Sequence, residues 1–191
     1  MSPRTAAQFK EIRQTRKNQI LDAALVVFAS DGYHSASISK ISQRAGISKG
    51  LMYNYFSSKE ELLQDVLTKG IQNMKDIFQF IQDEMDTPEE LMILIKGSID
   101  MMKKDPQYYK LYFTLFFQPE AYTIIKTKYK EILGDLMNDI AYYFENKGDE
   151  YPIEKAMVLG ALLDGIGLHY LMAPEMYDLE VFEKIIFDLF K

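Results

Sequence analysis

Cysteine is absent from this chain of 191 residues, and histidine occurs only at His34 and His169. The lack of cysteine excludes disulfide scaffolds, thiolate zinc sites and cysteine nucleophiles. Two histidines so far apart in the sequence do not favour a multi-histidine metal site. We therefore expect neither a bound metal ion nor a cofactor.

Long apolar runs are also missing. Residues 1–17 are polar and lack the apolar stretch of a secretory signal. The longest apolar stretch, residues 157–172, contains three glycines, Asp164 and His169, and it is shorter than the roughly 20 residues that span a bilayer. The pattern predicts a soluble, cytoplasmic protein with no membrane partner.

Strand-like alternation of apolar and polar residues is not sustained anywhere in the chain. Apolar residues recur instead at helical spacing, and capping boxes at 58–61 and 87–90 mark two helix starts. Prolines at 106, 119 and 152 mark three more. The sequence predicts an all-α protein with helices over 8–31, 38–45, 49–55, 58–84, 88–104, 106–117, 119–147, 152–172 and 178–190.

Basic residues are concentrated near the N-terminus, although the net charge of the whole chain is −6. Residues 1–60 carry nine Lys or Arg and four Asp or Glu, a charge of +5, whereas residues 61–191 carry −11. Every arginine lies at or before Arg44, and the guanidinium group suits phosphates and base edges. The asymmetry predicts a nucleic-acid-binding domain over 1–60 and an acidic domain over 61–191. The alternative is a solvated basic helix face.

Two short predicted helices, 38–45 and 49–55, are separated by a three-residue turn, which is typical of a helix-turn-helix. Gly46 suits the positive φ that often follows a helix, and Ser48 suits the N-cap of the next one. The second helix would present Lys49, Gly50, Leu51, Tyr53, Asn54 and Tyr55 outward, where they can contact phosphates and base edges. In the alternative arrangement, the two tyrosines pack against the fourth helix and only their hydroxyls reach water.

Residues 37–62, which read SISKISQRAGISKGLMYNYFSSKEEL, resemble the DNA-binding signature of the TetR family of bacterial transcriptional regulators. Residues 20–24, Phe28 and Gly32–Tyr33 are similar to the first helix and turn of that family. The resemblance implies a three-helix DNA-binding head joined to a larger helical domain for effector binding and dimerisation. It also implies a homodimer that binds a palindromic operator in double-stranded DNA as a repressor, until a small lipophilic effector releases it.

The same resemblance assigns roles by position. Ser37 and Lys59 would contact phosphates, Ser48, Lys49, Gly50 and Leu51 would read bases, Tyr53 and Tyr55 would hold the DNA backbone, and Asn54 could reach either. Leu51, Met52 and Tyr55 depart from the commonest family pattern. The departures at Leu51 and Tyr55 leave the operator sequence open.

The acidic domain is rich in methionine and aromatic side chains, which can line an apolar effector pocket. Asp164 and His169 lie in an apolar helix and are candidate polar anchors. The predicted pocket residues are Met102, Tyr109, Tyr112, Phe113, Phe116, Met137, Asp164 and His169. The alternative is that the apolar residues form an ordinary core and that Asp164 and His169 are hydrogen-bonded structural groups.

The last two predicted helices have apolar faces that are wide for the surface of a monomer, which indicates a four-helix dimer interface. The predicted interface residues are Leu159, Leu163, Ile166, Tyr170, Phe182, Ile185, Ile186 and Leu189. The alternative is that one of these helices is buried in its own subunit.

An enzymatic function is not favoured by any motif. Gly46–Gly50 matches the G-x-S-x-G pattern of serine hydrolases, but that motif follows a strand and a helix is predicted here. No paired acid–base arrangement accompanies it, so we predict that the protein is not an enzyme. The remaining alternative is a helical carrier of a lipid or other hydrophobic ligand whose basic head binds a membrane surface.

Overall fold

The computed structural model describes residues 5–77 and 85–191, with side chains except at 74–77, 127–133 and 135. Within these residues no strand occurs, and the predicted all-α class is confirmed. The described helices are α1 (Ala6–Asp31), α2 (Ile38–Arg44), α3 (Lys49–Met52), α4 (Lys59–Ile77), α5 (Pro88–Lys104), α6 (Pro106–Phe116), α7 (Pro119–Asn146), α8 (Pro152–Met172) and α9 (Leu179–Phe190), with a 3₁₀ turn at Pro174–Met176.

Helix boundaries agree closely with the sequence predictions, with one clear difference at α3. This helix ends at Met52 rather than at residue 55, because the backbone then tightens into a turn. The amide of Asn54 donates to the Leu51 carbonyl, and that of Tyr55 donates to the Met52 carbonyl. Residues 78–84 of the predicted fourth helix lie outside the described residues.

Side-chain caps explain where several helices begin. Thr5 and Gln8 form a capping box at the start of α1, and Thr87 and Glu90 form the predicted one at α5. At α4 the Ser58 hydroxyl accepts from the amide of Glu61, whose carboxylate reaches back to the amide of Ser57. These local bonds satisfy amides that have no partner inside their helix.

The chain divides into two compact units. The first unit comprises Met1–Gly70 and Leu111–Ile125, and the second comprises Ile71–Lys110 and Lys126–Lys191. We call Leu111–Ile125, where α6 ends and α7 begins, the α6–α7 corner. The first unit therefore contains the predicted head, 1–60, together with the beginning of α4 and this corner.

The first unit has its core where α1, α2, α3 and α4 meet. Phe28, Ile41, Met52 and Phe56 are at most 2% exposed. The remaining buried apolar side chains of the four helices include Ile20, Leu21, Ala24, Leu25, Val27, Leu62, Leu63, Val66 and Leu67. Burial of these side chains on both sides of the α2–α3 turn holds the two short helices in place.

In the second unit, α5 packs against both α8 and α9. The core of this unit includes Leu91, Ile95, Ile99, Tyr143 and Phe144, all at most 1% exposed. By length and composition alone, α8 is the one helix in the described ranges that could cross a membrane, and the core helix of a soluble protein passes the same test.

Candidate DNA-binding site and effector region

The helix-turn-helix is built by two serine caps and one glycine. Ser37 caps α2 by accepting from the amide of Lys40, and Ser48 caps α3 by accepting from the amide of Leu51 at 3.1 Å. Gly46 lies between the helices with a φ of 66°, a conformation that favours glycine. The local geometry is the one that the predicted helix-turn-helix requires.

The outer face of α3 and its following turn is exposed. Lys49, Gly50 and Asn54 lie on the surface, Leu51 is 38% exposed and Tyr53 is 51% exposed. Inward-facing residues of the same segment anchor it to the core, so the exposed side chains are presented from a fixed backbone. Large apolar and aromatic side chains grouped on a surface are typical of a contact site.

Tyr55 differs from Tyr53 because it is half-buried. The guanidinium of Arg13 lies 4.9 Å from the centre of the Tyr55 ring and donates a hydrogen bond to the Asn54 carbonyl at 3.0 Å. Arg13 thus ties α1 to the end of α3 and its turn, residues 49–55, which we call the recognition segment. In the sequence Arg13 contributes only to the positive charge of the head, because no local pattern reveals a contact between residues 41 positions apart.

Lys59 occupies a different position from the one expected of a phosphate contact. Its ammonium group donates to the carbonyls of Tyr33, His34 and Ala36 at 2.8, 3.2 and 3.1 Å, and it lies 4.4 Å from the centre of the Tyr33 ring. An ammonium group has three N–H donors, and all three are used here. These contacts make Lys59 a clamp on the turn between α1 and α2, and its phosphate role stays a prediction.

In the second unit, three predicted pocket residues lie close together. A Cβ atom at Gly167 of α8 would lie 2.9 Å from the Tyr109 hydroxyl and 3.0 Å from the sulfur of Met102, so the helices are in tight contact. Burial raises the pKa of Tyr109, and the negative charge of Asp164 raises it further. Desolvation raises the pKa of Asp164 as well, although its side chain reaches the surface of the unit.

The other predicted pocket residues are dispersed. Tyr112 belongs to the first unit, where its ring packs on Gly70 and its hydroxyl donates to the Val66 carbonyl at 3.3 Å. Phe113 and Phe116 belong to the same unit, Met137 approaches Gly160, and His169 is exposed beside Tyr177. Two surface hollows, one along α1 and one beside α7 and the start of α8, are lined by none of the predicted residues.

The apolar surface of α8 and α9 contains only some of the predicted interface residues. Leu159, Leu163, Ile166 and Ile186 are at most 7% exposed and belong to the core of their own unit, which favours for these four the alternative of burial in their own subunit. Tyr170 and Phe182 are half-buried, whereas Ile185 and Leu189 are exposed. The exposed apolar residues of the two helices outside the predicted interface set are Met157, Val158, Leu168, Met172 and Val181.

Comparison with known proteins shows what the DNA-binding region is similar to. Residues 20–66 match the profile of bacterial regulatory proteins of the tetR family. The fatty acid metabolism regulator protein of Bacillus subtilis is 25% identical over 180 residues, which cover 90% of this chain and 91% of that protein. Residues 20–66 of this chain are therefore similar to the DNA-binding region of the tetR family. The predicted resemblance is confirmed, and so is the predicted class of protein, a transcriptional regulator.

A second relative matches this chain over a shorter stretch. The transcriptional activator FasR of Mycolicibacterium smegmatis is 36% identical over 102 residues, which cover 53% of this chain and 47% of that protein. The match thus spans about half the length of that relative. Both relatives are named as regulators rather than as enzymes.

Solved structures support the fold of this chain over nearly its whole length. The fatty acid degradation regulator FadR of Bacillus halodurans has a TM-score of 0.69 and 26% identity, and the match covers 92% of this chain and 94% of that one. FadR of Bacillus subtilis, solved with stearoyl-CoA, has a TM-score of 0.71 and 24% identity, with coverage of 90% and 96%. The similarity to the Bacillus subtilis structure concerns the fold alone.

Proposed function

We propose that this protein is a cytoplasmic, homodimeric repressor that binds a palindromic operator and is released by a long-chain fatty acyl ligand. The observation that carries the DNA-binding part is the exposed face of α3 and its turn, which offers Lys49, Leu51, Tyr53 and Asn54. Lysine and asparagine suit base edges, and the tyrosine hydroxyl suits a phosphate. The head that carries this face has a charge of +5.

The acyl ligand is proposed from the relatives and from the chemistry of the second unit. Two related regulators are named for fatty acid metabolism or degradation, and a structural neighbour was solved with stearoyl-CoA. Around Gly167, the flexible thioether of Met102 is in tight contact with α8, and thioethers adapt readily to a new neighbour. The ligand would enter by displacing this side chain, with Tyr109 and Asp164 as polar groups nearby.

Dimerisation is proposed from the exposed apolar stripe on α9 and its counterpart on α8. Val181, Ile185 and Leu189 recur every four residues and are 49%, 48% and 67% exposed. On α8, Met157 and Met172 are 57% and 76% exposed. Apolar stripes of this size need a covering partner, and a second copy would pair these helices across a two-fold axis. The same pairing accounts for the apolar character of α8 without a membrane.

The proposed mechanism couples the ligand to the spacing of the two heads. Ligand binding would favour a conformation in which α4 is tilted. The two recognition segments of the dimer would then no longer match half-sites that are spaced by a turn of DNA. One half-site loses its phosphate contacts, and the operator is released.

Selection of bound DNA from a random pool tests the proposal. We expect a palindromic sequence to be enriched and to be released by stearoyl-CoA. Lys49→Ala should alter the preferred base at one position, and Tyr53→Ala should weaken binding to all sequences to a similar extent. Lys96→Ala, an exposed site on α5, is the matched control and should bind like the unaltered protein. A pool that shows no enrichment, with binding to anionic vesicles instead, overturns the proposal in favour of a lipid carrier.

Sedimentation velocity tests the dimer. Ile185→Glu places a charge in the exposed stripe of α9 and should convert the dimer to monomer at micromolar concentration. Ile93→Glu is a matched control, because Ile93 on α5 is equally exposed at 48% and lies outside the stripe. A monomeric unaltered protein, or a dimer that survives the Ile185 substitution, would refute the interface.

A further inference from the structure

The side chain of Gln118, between α6 and α7, makes two hydrogen bonds to the backbone of the head. Its Nε2 donates to the Phe28 carbonyl at 2.8 Å, and its Oε1 accepts from the amide of Tyr33 at 2.9 Å. These contacts join residues that are 90 and 85 positions apart. Gln118 is half-buried, so both ends of its amide are engaged in a site that is partly shielded from water.

The backbone that Gln118 holds is the turn between α1 and α2. Phe28 lies in the last turn of α1, and Gly32 ends that helix with a φ of 80°. Tyr33 follows, and the chain then reaches Ser37, the cap of α2. Because α2 starts directly after this turn, the position of the turn sets the position of the helix-turn-helix.

Other groups immobilise the same turn. Lys59 at the start of α4 binds its carbonyls, as described above, and the His34 imidazole contacts the carboxylate of Glu120 in the α6–α7 corner. The Phe28 and Tyr33 rings are in contact, with 5.6 Å between their centres. All of these contacts lie within the first compact unit, which contains the α6–α7 corner as well as the head.

We propose that Gln118 is a positioning residue for operator binding, through which the α6–α7 corner orients the helix-turn-helix. Both α6 and α7 continue from this corner into the residues of the second unit. A shift of these helices would therefore reach the α1–α2 turn through the Gln118 amide. This inference rests on the proposed function, since it concerns how a dimer presents two heads to DNA.

The first test does not require DNA. Gln118→Met keeps the length of the side chain and removes both polar atoms, so the amide of Tyr33 loses its acceptor. Hydrogen exchange at that amide should become about tenfold faster. Gln118→Glu keeps an acceptor oxygen and should restore most of the protection. Gln107→Met, at an exposed site in α6, is the matched control and should leave the exchange rate unchanged.

The second test measures dependence on half-site spacing, using the selected operator and versions with one base pair added or removed at its centre. The unaltered protein should lose at least about tenfold in affinity when the spacing changes, whereas Gln118→Met should lose only about threefold because its heads reorient more freely. A substitution that merely unfolds part of the protein lowers affinity for all three spacings and leaves the ratio unchanged.

The outcomes separate this inference from the proposed function. Unchanged exchange at Tyr33 in the Gln118→Met protein overturns the inference, whether or not DNA binds. If the Gln118→Met protein and the unaltered protein show the same dependence of affinity on half-site spacing, the inference is also overturned, while the proposed function stands. Failure to select any DNA overturns the proposed function, and exchange at Tyr33 then still decides whether Gln118 holds the turn.

Discussion

The clamp formed by Lys59 makes the sharpest prediction, because it gives the opposite result from a phosphate contact. Lys59→Met keeps most of the apolar stem and removes the ammonium group. Three carbonyls of the α1–α2 turn then lose a charged donor that lies 2.8 to 3.2 Å away. The favourable contact with the Tyr33 ring, at 4.4 Å, is lost as well.

The expected cost follows from these contacts. A hydrogen bond to a charged group contributes about 1.5–3 kcal/mol, but three bonds to one half-buried ammonium are not additive. We therefore expect Lys59→Met to lower the free energy of unfolding by about 2–4 kcal/mol. For a chain of this size each kcal/mol lowers Tm by about 2–4 °C.

Two measurements distinguish the clamp from a phosphate contact. Urea denaturation gives the loss of stability, and operator binding at several salt concentrations gives the slope of log K against log salt. A lost phosphate contact lowers that slope by about 0.9, whereas loss of the clamp leaves it unchanged in the protein that remains folded. Lys49→Met, on the exposed face of α3, is the matched control and should change stability by less than about 0.5 kcal/mol. A Lys59→Met protein of normal stability with a reduced slope would refute the clamp.

Substitution by alanine should change the stability of the fold in opposite directions at two glycines in helix interiors. Gly70→Ala drives a Cβ to 2.2 Å from the buried ring of Tyr112, so overpacking of about 1–3 kcal/mol should outweigh the gain in helix propensity of about 1 kcal/mol. The Cβ of Gly134→Ala meets no atom of the described residues within 4 Å and should stabilise the fold, and equal urea midpoints for the two variants would contradict this packing. Hydrogen bonds from Asp86 and Thr87 lower the pKa of Glu90, so this carboxylate stabilises the fold above the ordinary Glu pKa, and that contribution is lost as pH falls through its lowered value. An acid titration of the urea midpoint should therefore be less steep for Glu90→Gln.

Local chemistry made much of the DNA-binding site predictable. Ser37, Gly46 and Ser48 act within three residues of their own position, as caps or as a residue with positive φ, so their roles follow from residue type and spacing. The exposed position of Tyr53 followed from helical periodicity once the inward residues were known. The half-buried position of Tyr55 did not, because it depends on Arg13 in another helix.

The exposed and buried residues of the second unit were less predictable from the sequence, for a related reason. Leu159 and Met157 both belong to the apolar pattern of α8, yet Leu159 is buried and Met157 is 57% exposed. When a helix is apolar on most of its circumference, periodicity does not reveal which side faces the core. The packing of α5 against α8 and α9 decides it.

By itself the sequence determined the all-α class, most of the described helix boundaries, the helix-turn-helix and the basic head, since all of these depend on residues close together along the chain or on simple charge. Only the tertiary structure decided that Lys59 clamps a turn 23 to 26 residues away and that Gln118 holds the same turn from 85 to 90 residues away. The physical reason is that a hydrogen bond forms where folding brings donor and acceptor together, and no local pattern records that meeting.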